Sequence, residues 1–171
     1  MRNNLTYLLL LLIILSGCKV QYSFTGVNTT AETMTINNFY HESDNGPPDL
    51  AARFTDQMRD YFQQNTNLRL VDDGGELFFE GAVTSYNVSP VAQSARSDLG
   101  GFSTAAQTRL TINVSVNFTN LNDPDSDFSR SFSFFSDFDA ESNIQDVEDD
   151  LIDEIYEQII LNIFNTSVAN W

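Results

Sequence analysis

The chain has 171 residues, enough for one domain with its own core, and carries 8 basic against 24 acidic side chains, a formal charge of −16. That excess of acid excludes nucleic acid as a partner, because phosphate binding needs clustered Lys and Arg, and it opposes adsorption to anionic lipid. A single cysteine excludes an intramolecular disulfide, so the fold rests on hydrophobic burial, to which 14 phenylalanines contribute heavily.

Arg2 precedes an apolar run from Leu5 to Leu15 that ends in Leu15-Ser16-Gly17-Cys18. A basic start, a short apolar stretch and small residues at the cut describe a secretory signal peptide over residues 1–17. The run falls short of the roughly 20 apolar residues of a membrane span. Its last four residues resemble the lipobox of bacterial lipoproteins. That implies a diacylglycerol on the Cys18 thiol and, after cleavage, an N-acyl chain such as palmitate on the new amine; no other cofactor is implied. Each buried acyl methylene contributes about 0.8 kcal/mol, so three chains hold a domain on a bilayer. Residues 18–31, rich in Thr, Ser, Asn and Gly, read as a tether, and residues 32–171 as one domain.

Thr33 to Phe39 alternates, with Met34 and Ile36 on one face, and predicts a first strand. His41 to Pro48 is a loop. Asp49 is placed as the N-cap of an amphipathic helix from Leu50 to about Gln64, with Leu50, Phe54, Met58, Tyr61 and Phe62 at helical spacing. Leu68 to Val71 either extends briefly or packs the helix end, and Asp72-Asp73-Gly74-Gly75 turns the chain. Glu76 to Val88 is a long strand whose apolar phase runs through Phe79 and Val83 and then shifts to Tyr86 and Val88, so a bulge is expected near Thr84 and Ser85.

Residues 89–107 break the pattern with Pro90, Gly100 and Gly101, and a connection of this length is more often functional or mobile. Leu110, Ile112, Val114, Val116 and Phe118 then alternate without a fault against polar neighbours. Asn122-Asp123-Pro124-Asp125 turns into a strand carrying Phe128, Phe132 and Phe134, which completes a hairpin. A last helix starts at about Ile144, capped by Asn143, with Ile144, Val147, Leu151, Ile155, Ile159 and Ile163 on one stripe and acids crowding its N-terminal half, where the helix dipole favours them. The predicted order is β-α-β-β-β-α. It gives an α+β two-layer sandwich, a four-stranded mixed sheet with two amphipathic helices on one face, built from a right-handed parallel crossover and an antiparallel meander.

No catalytic constellation emerges. Asp123, Asp125 and Asp127 have the alternate spacing of a calcium loop, but Phe128 replaces the glycine at the sixth position and no glutamate stands at the twelfth. A solvated turn is expected there, and no metal site. His41 is the only histidine, has no nucleophile near it in sequence, and is expected on the surface. Binding is assigned instead to the 89–107 loop, which presents Pro90, Arg96, Leu99 and Phe102 beside Arg109, since loops on a rigid sheet commonly carry function.

Tyr22-Ser23-Phe24-Thr25-Gly26 after Cys18, Asn67-Leu68-Arg69-Leu70-Val71, Phe79-Glu80-Gly81 with Tyr86, Val88 and Pro90, and the closing Val168-Ala169-Asn170-Trp171 together resemble the LptE lipoproteins of Bacteroidota. The resemblance implies a non-enzymatic, lipid-anchored protein on the periplasmic side of the outer membrane. Such a protein plugs the LptD β-barrel, with which it inserts lipopolysaccharide into the outer leaflet. Lys19 is not the aspartate of inner-membrane retention, and no acidic export cluster follows it, which agrees with a periplasm-facing anchor. On this resemblance Arg96 and Arg109 are the residues placed to meet lipid A phosphates. Direct binding of lipopolysaccharide could also use divalent cations or be left to the barrel. The alternative from another class is a periplasmic scaffold or pilotin lipoprotein for a different envelope complex.

Overall fold

The alternation from Leu110 to Phe118 forms the centre of the molecule. In the computed structural model, which describes residues 29–91 and 106–169, every apolar side chain of that run is buried. The elements in chain order are β1 (Thr33–Ile36), β2 (Tyr40–His41), α1 (Leu50–Asn65), β3 (Arg69–Leu70), β4 (Leu77–Pro90), β5 (Gln107–Asn120), one 3-10 turn (Pro124–Ser126), β6 (Phe128–Asp139) and α2 (Ile144–Ser167). They build the expected α+β two-layer sandwich, but its sheet has six strands rather than four, in the order β3-β1-β4-β5-β6 with β2 also on β4.

The two additional strands are too short to carry a period of their own. β1 stops at Ile36 instead of reaching Phe39. Asn37 N–H still donates to Phe79 C=O, but the Arg59 side chain then takes the Ile36 carbonyl through Nη2 at 2.6 Å and Nε at 3.2 Å. Phe39 turns into the core against Phe54, ring centres 4.9 Å apart, and its N–H donates to Thr55 Oγ1. Pairing with β4 resumes at Tyr40 and His41, opposite Ala82 and Val83. His41 thus lies in a short strand rather than in the loop expected of it; it is exposed, with Nε2 3.0 Å from Ser43 O. β3 pairs parallel to β1, so Leu68–Val71 takes the extended option.

β1 and β4 are parallel with the helix between them in sequence, and β4, β5 and β6 form the antiparallel meander. The bulge falls between Val83 and Ser85, as the phase shift predicts. Tyr86 is buried after it, but Val88 stays 43% exposed: it lies two residues before the end of β4 at Pro90, where the apolar phase continues without full cover.

Both helices lie on one side of the sheet. α1 packs on β2, β3 and β4, and α2 on β5 and β6. Between the layers runs an aromatic seam in which Phe54 meets Tyr156 at 5.1 Å, Phe62 meets Phe79 at 5.1 Å and Phe79 meets Phe118 at 4.8 Å. Tyr156 is fully buried, and its hydroxyl donates to Leu50 C=O. Asn143 caps α2 by accepting Gln145 N–H, but the Asp49 side chain makes no such bond at α1. Asp49 has φ −95° and ψ 2°, outside the extended backbone a side-chain cap uses; the first helical N–H, that of Leu50, goes to Pro47 C=O instead.

Candidate functional site

Side chains of a strand alternate between faces, so a sheet covered by helices on one side presents every second residue on the other. Here that open face is built on β5 from Thr111, Asn113, Ser115, Asn117 and Thr119, and on β6 from Ser133, Ser131 and Ser129, the partners of Asn113, Ser115 and Asn117. β4 contributes half-buried Phe78, Glu80 and buried Ala82 before the bulge and Ser85, Asn87 and Ser89 after it. The bulge keeps the face polar: it changes the outward set from even to odd numbers and leaves Thr84 exposed, with Oγ1 donating to Asn113 C=O at 3.3 Å. Ser129 Oγ donates to Asn117 Oδ1 at 2.6 Å, which ties neighbouring strands on this side. Among the described residues no helix or strand covers it.

Two aromatic rings flank this field. Tyr40 on β2 is 70% exposed and Phe135 on β6 is 43% exposed. A groove of about 260 Å³ lies beside Tyr40, lined also by Glu42, Glu80, Thr84, Ser115 and Asn117. Next to Phe135, Arg109 donates from Nε and Nη2 to the two Asp137 oxygens at 2.7 and 2.8 Å, and its guanidinium carbon stands 3.5 Å from the centre of the Phe135 ring. The bond from Arg109 holds the Asp137 carboxyl below its ordinary range, and the same bond holds Arg109 protonated.

The helical side is different in charge. Some of its acids are tied locally: Arg53 bridges α1 to α2 through Asp149 at 2.6 Å and Asp153 at 2.9 Å. Ser136 Oγ donates to Glu154, and Tyr86 Oη donates to Glu148 at 2.5 Å. Burial, reinforced by that carboxylate, pushes the Tyr86 phenol well above its usual range. A second recess of about 340 Å³ opens at the ends of β1 and β3 beside Arg59, Asn37, Asn38 and Asp72, where Arg59 also donates to Asn38 Oδ1 at 3.0 Å.

Of the residues singled out from sequence, Pro90 is the last residue of β4, exposed and opposite Thr108, rather than part of a loop. Arg109 lies on β5 in the ion pair just described, so its charge is already matched. Arg96, Leu99, Phe102 and Cys18 lie outside the described residues. Asp123, Asp125 and Asp127 form the hairpin turn, in which Asp127 Oδ1 accepts Asn120 N–H at 2.7 Å. Tyr40, Glu80 and Phe135 were missed. The signal that could have found them is the phase opposite to the core: β5 places no long charged side chain outward between Arg109 and Asn120, an unusual economy in so acidic a chain.

The sequence model of the family described as "LptE: Lipopolysaccharide-assembly" matches residues 31–167. No curated protein matches the chain by sequence. Among solved structures the fold is similar to a hypothetical protein from Chlamydia trachomatis, 7% identical, covering 82% of this chain and 99% of that one at a TM-score of 0.54. It is also similar to uncharacterized lipoprotein B from Nitrosomonas europaea, 8% identical over 86% and 87% of the two chains at 0.51. A third likeness is to a putative neuraminyllactose-binding hemagglutinin homolog from Helicobacter pylori, 12% identical over 84% and 87% at 0.50. At these identities what is shared is the fold.

Proposed function

This chain belongs to the LptE family, whose work is lipopolysaccharide assembly, and we propose that it serves as a non-enzymatic envelope lipoprotein that plugs and assembles an LptD-type β-barrel in the outer membrane. It is anchored through acylated Cys18 and faces the periplasm, with the residues between Cys18 and Ala31, the first residue of the core, as tether. The observation that carries the reading is the open sheet face. A plug in a water-filled barrel meets a polar inner wall, and a surface of short hydroxyl and amide side chains can exchange hydrogen bonds with it.

The segment from residue 92 to 105 adds contacts to the barrel or to lipopolysaccharide through Arg96, Leu99 and Phe102. At Arg109 a lipid A phosphate would have to compete with Asp137. Purification of the tagged chain from outer membranes should recover a large β-barrel, and photocrosslinkers at positions 96, 99 and 102 should capture it or lipopolysaccharide. Depletion of the protein with no loss of surface lipopolysaccharide would sink the reading. Recovery of a secretion-type channel instead would favour the scaffold or pilotin alternative.

A further inference from the structure

We infer that the open face of the sheet is the surface on which the partner docks, with Tyr40 and Phe135 as its two anchors and the groove between Tyr40 and Glu80 as the seat of a basic side chain from the partner's wall. The inference rests on the proposed barrel partnership and adds where and by what chemistry the two meet. Three independent features of the face lead to it.

The first is conformational cost. Immobilising Ser, Thr and Asn costs little rotamer entropy, whereas Lys, Arg and Glu lose the most on being fixed. β5 and β6 present short side chains, and the one arginine among them is already held by Asp137 and Phe135, so this face enters an interface nearly preorganised. The long acids of α2 would have to be ordered and desolvated together. The second is the pair of exposed rings. Aromatic side chains dominate binding energy at interfaces, and Tyr40 and Phe135 are the exposed rings of this face, whereas Phe78 on the same side is half-buried.

The third is charge complementarity. Glu42 and Glu80 line the groove with no cation beside them, and Glu80, half-buried, makes no ion pair among the described residues. An exposed tyrosine ring next to carboxylates suits a guanidinium or ammonium group, which gains both a cation–π contact and charge-assisted hydrogen bonds. A phosphate or other anion would be repelled there. The overall charge of −16 also steers a basic partner surface inward.

The test uses the full-length lipoprotein co-expressed with its barrel and purified in detergent. Tyr40→Ala, Glu80→Lys and Phe135→Ala should each lower recovered barrel about tenfold, the size typical of an interface anchor, with thermal melts close to wild type. Glu80→Gln should weaken the complex less and flatten its dependence on salt. Asp150→Asn and Glu157→Gln on the helical side should leave recovery unchanged. Undiminished recovery with all the sheet-face variants, while wild type binds the barrel, overturns this inference and leaves the partnership standing. Loss confined to the helical-side variants does the same. A wild-type chain that recovers no barrel overturns both.

Discussion

The Glu76 carboxylate accepts the backbone N–H of Glu32 at 2.5 Å, across forty-four residues of chain. The same oxygen accepts from Thr33 N–H at 3.2 Å, while Thr33 Oγ1 takes Glu76 N–H at 3.1 Å. Glu76 therefore fastens the entry of β1 to the start of β4, where two parallel strands must find their register without a hairpin to set it.

That clasp makes stability depend on acid. The bond from Glu32, helped by Asn122, holds the Glu76 carboxyl below its ordinary range. A carboxyl lowered in the folded state contributes stability that is present above its unfolded value of about 4.3 and is lost as pH falls through the folded value. Glu76→Gln should lower Tm at pH 7, and the gap from wild type should narrow at pH 3. Comparing the two proteins at each pH cancels the relief of repulsion among the other acids. A gap that is the same at both pH values would refute the clasp.

The central strand gives the severest test of the core. Val114 is fully buried between Val83 and Phe132. Val114→Asp places an unpaired carboxylate there, which costs about 3–5 kcal/mol or more against a typical domain stability of about 5–15 kcal/mol. The cooperative thermal transition should be lost or displaced far downward. A melt like that of the wild type would contradict the strand phase.

Gly81 tests the close approach of β4 to β5. It stands opposite Val116, and a Cβ at Gly81 would lie 2.0 Å from Ser115 O and 2.7 Å from the Phe39 ring. A backbone carbonyl held in a ladder cannot swing aside, so Gly81→Ala should cost about 2–3 kcal/mol and lower Tm by about 5–10 °C. Gly74 is a useful contrast, with φ +71° and open space around it. Gly74→Ala should cost only about 1 kcal/mol, the strain of a left-handed backbone, and equal losses at the two sites would contradict the steric account.

Long elements were legible in the sequence because their periods repeat. Leu110 to Phe118 fixes a strand, the isoleucines after Asn143 fix a helix, and the phase change after Val83 locates the bulge. β2 and β3 were not, because two residues have no period; they exist only because β4 and β1 offer edges to pair with. The Asp49 cap failed for a local reason, since Pro47 C=O takes the first helical N–H in its place. The polar side of the sheet could be read from alternation. The joining of Tyr40, Glu80 and Phe135 on it could not, because strand order brings together residues that lie far apart in the chain.

Anchoring and docking can be separated at Cys18. The described core contains no residue before Ala31, so Cys18→Ala should leave Tm unchanged in a chain secreted with a cleavable signal. Acyl chains supply about 0.8 kcal/mol per buried methylene, and the acidic surface offers no attraction to anionic lipid, so the unacylated protein made alone should fractionate as soluble. Co-expression with its barrel should return part of it to the membrane fraction, and Tyr40→Ala in the same background should release it again. Return without the barrel would mean that the protein surface itself binds lipid, whereas no return with the barrel would mean that the lipid, and not a protein partner, accounts for all of its residence at the membrane.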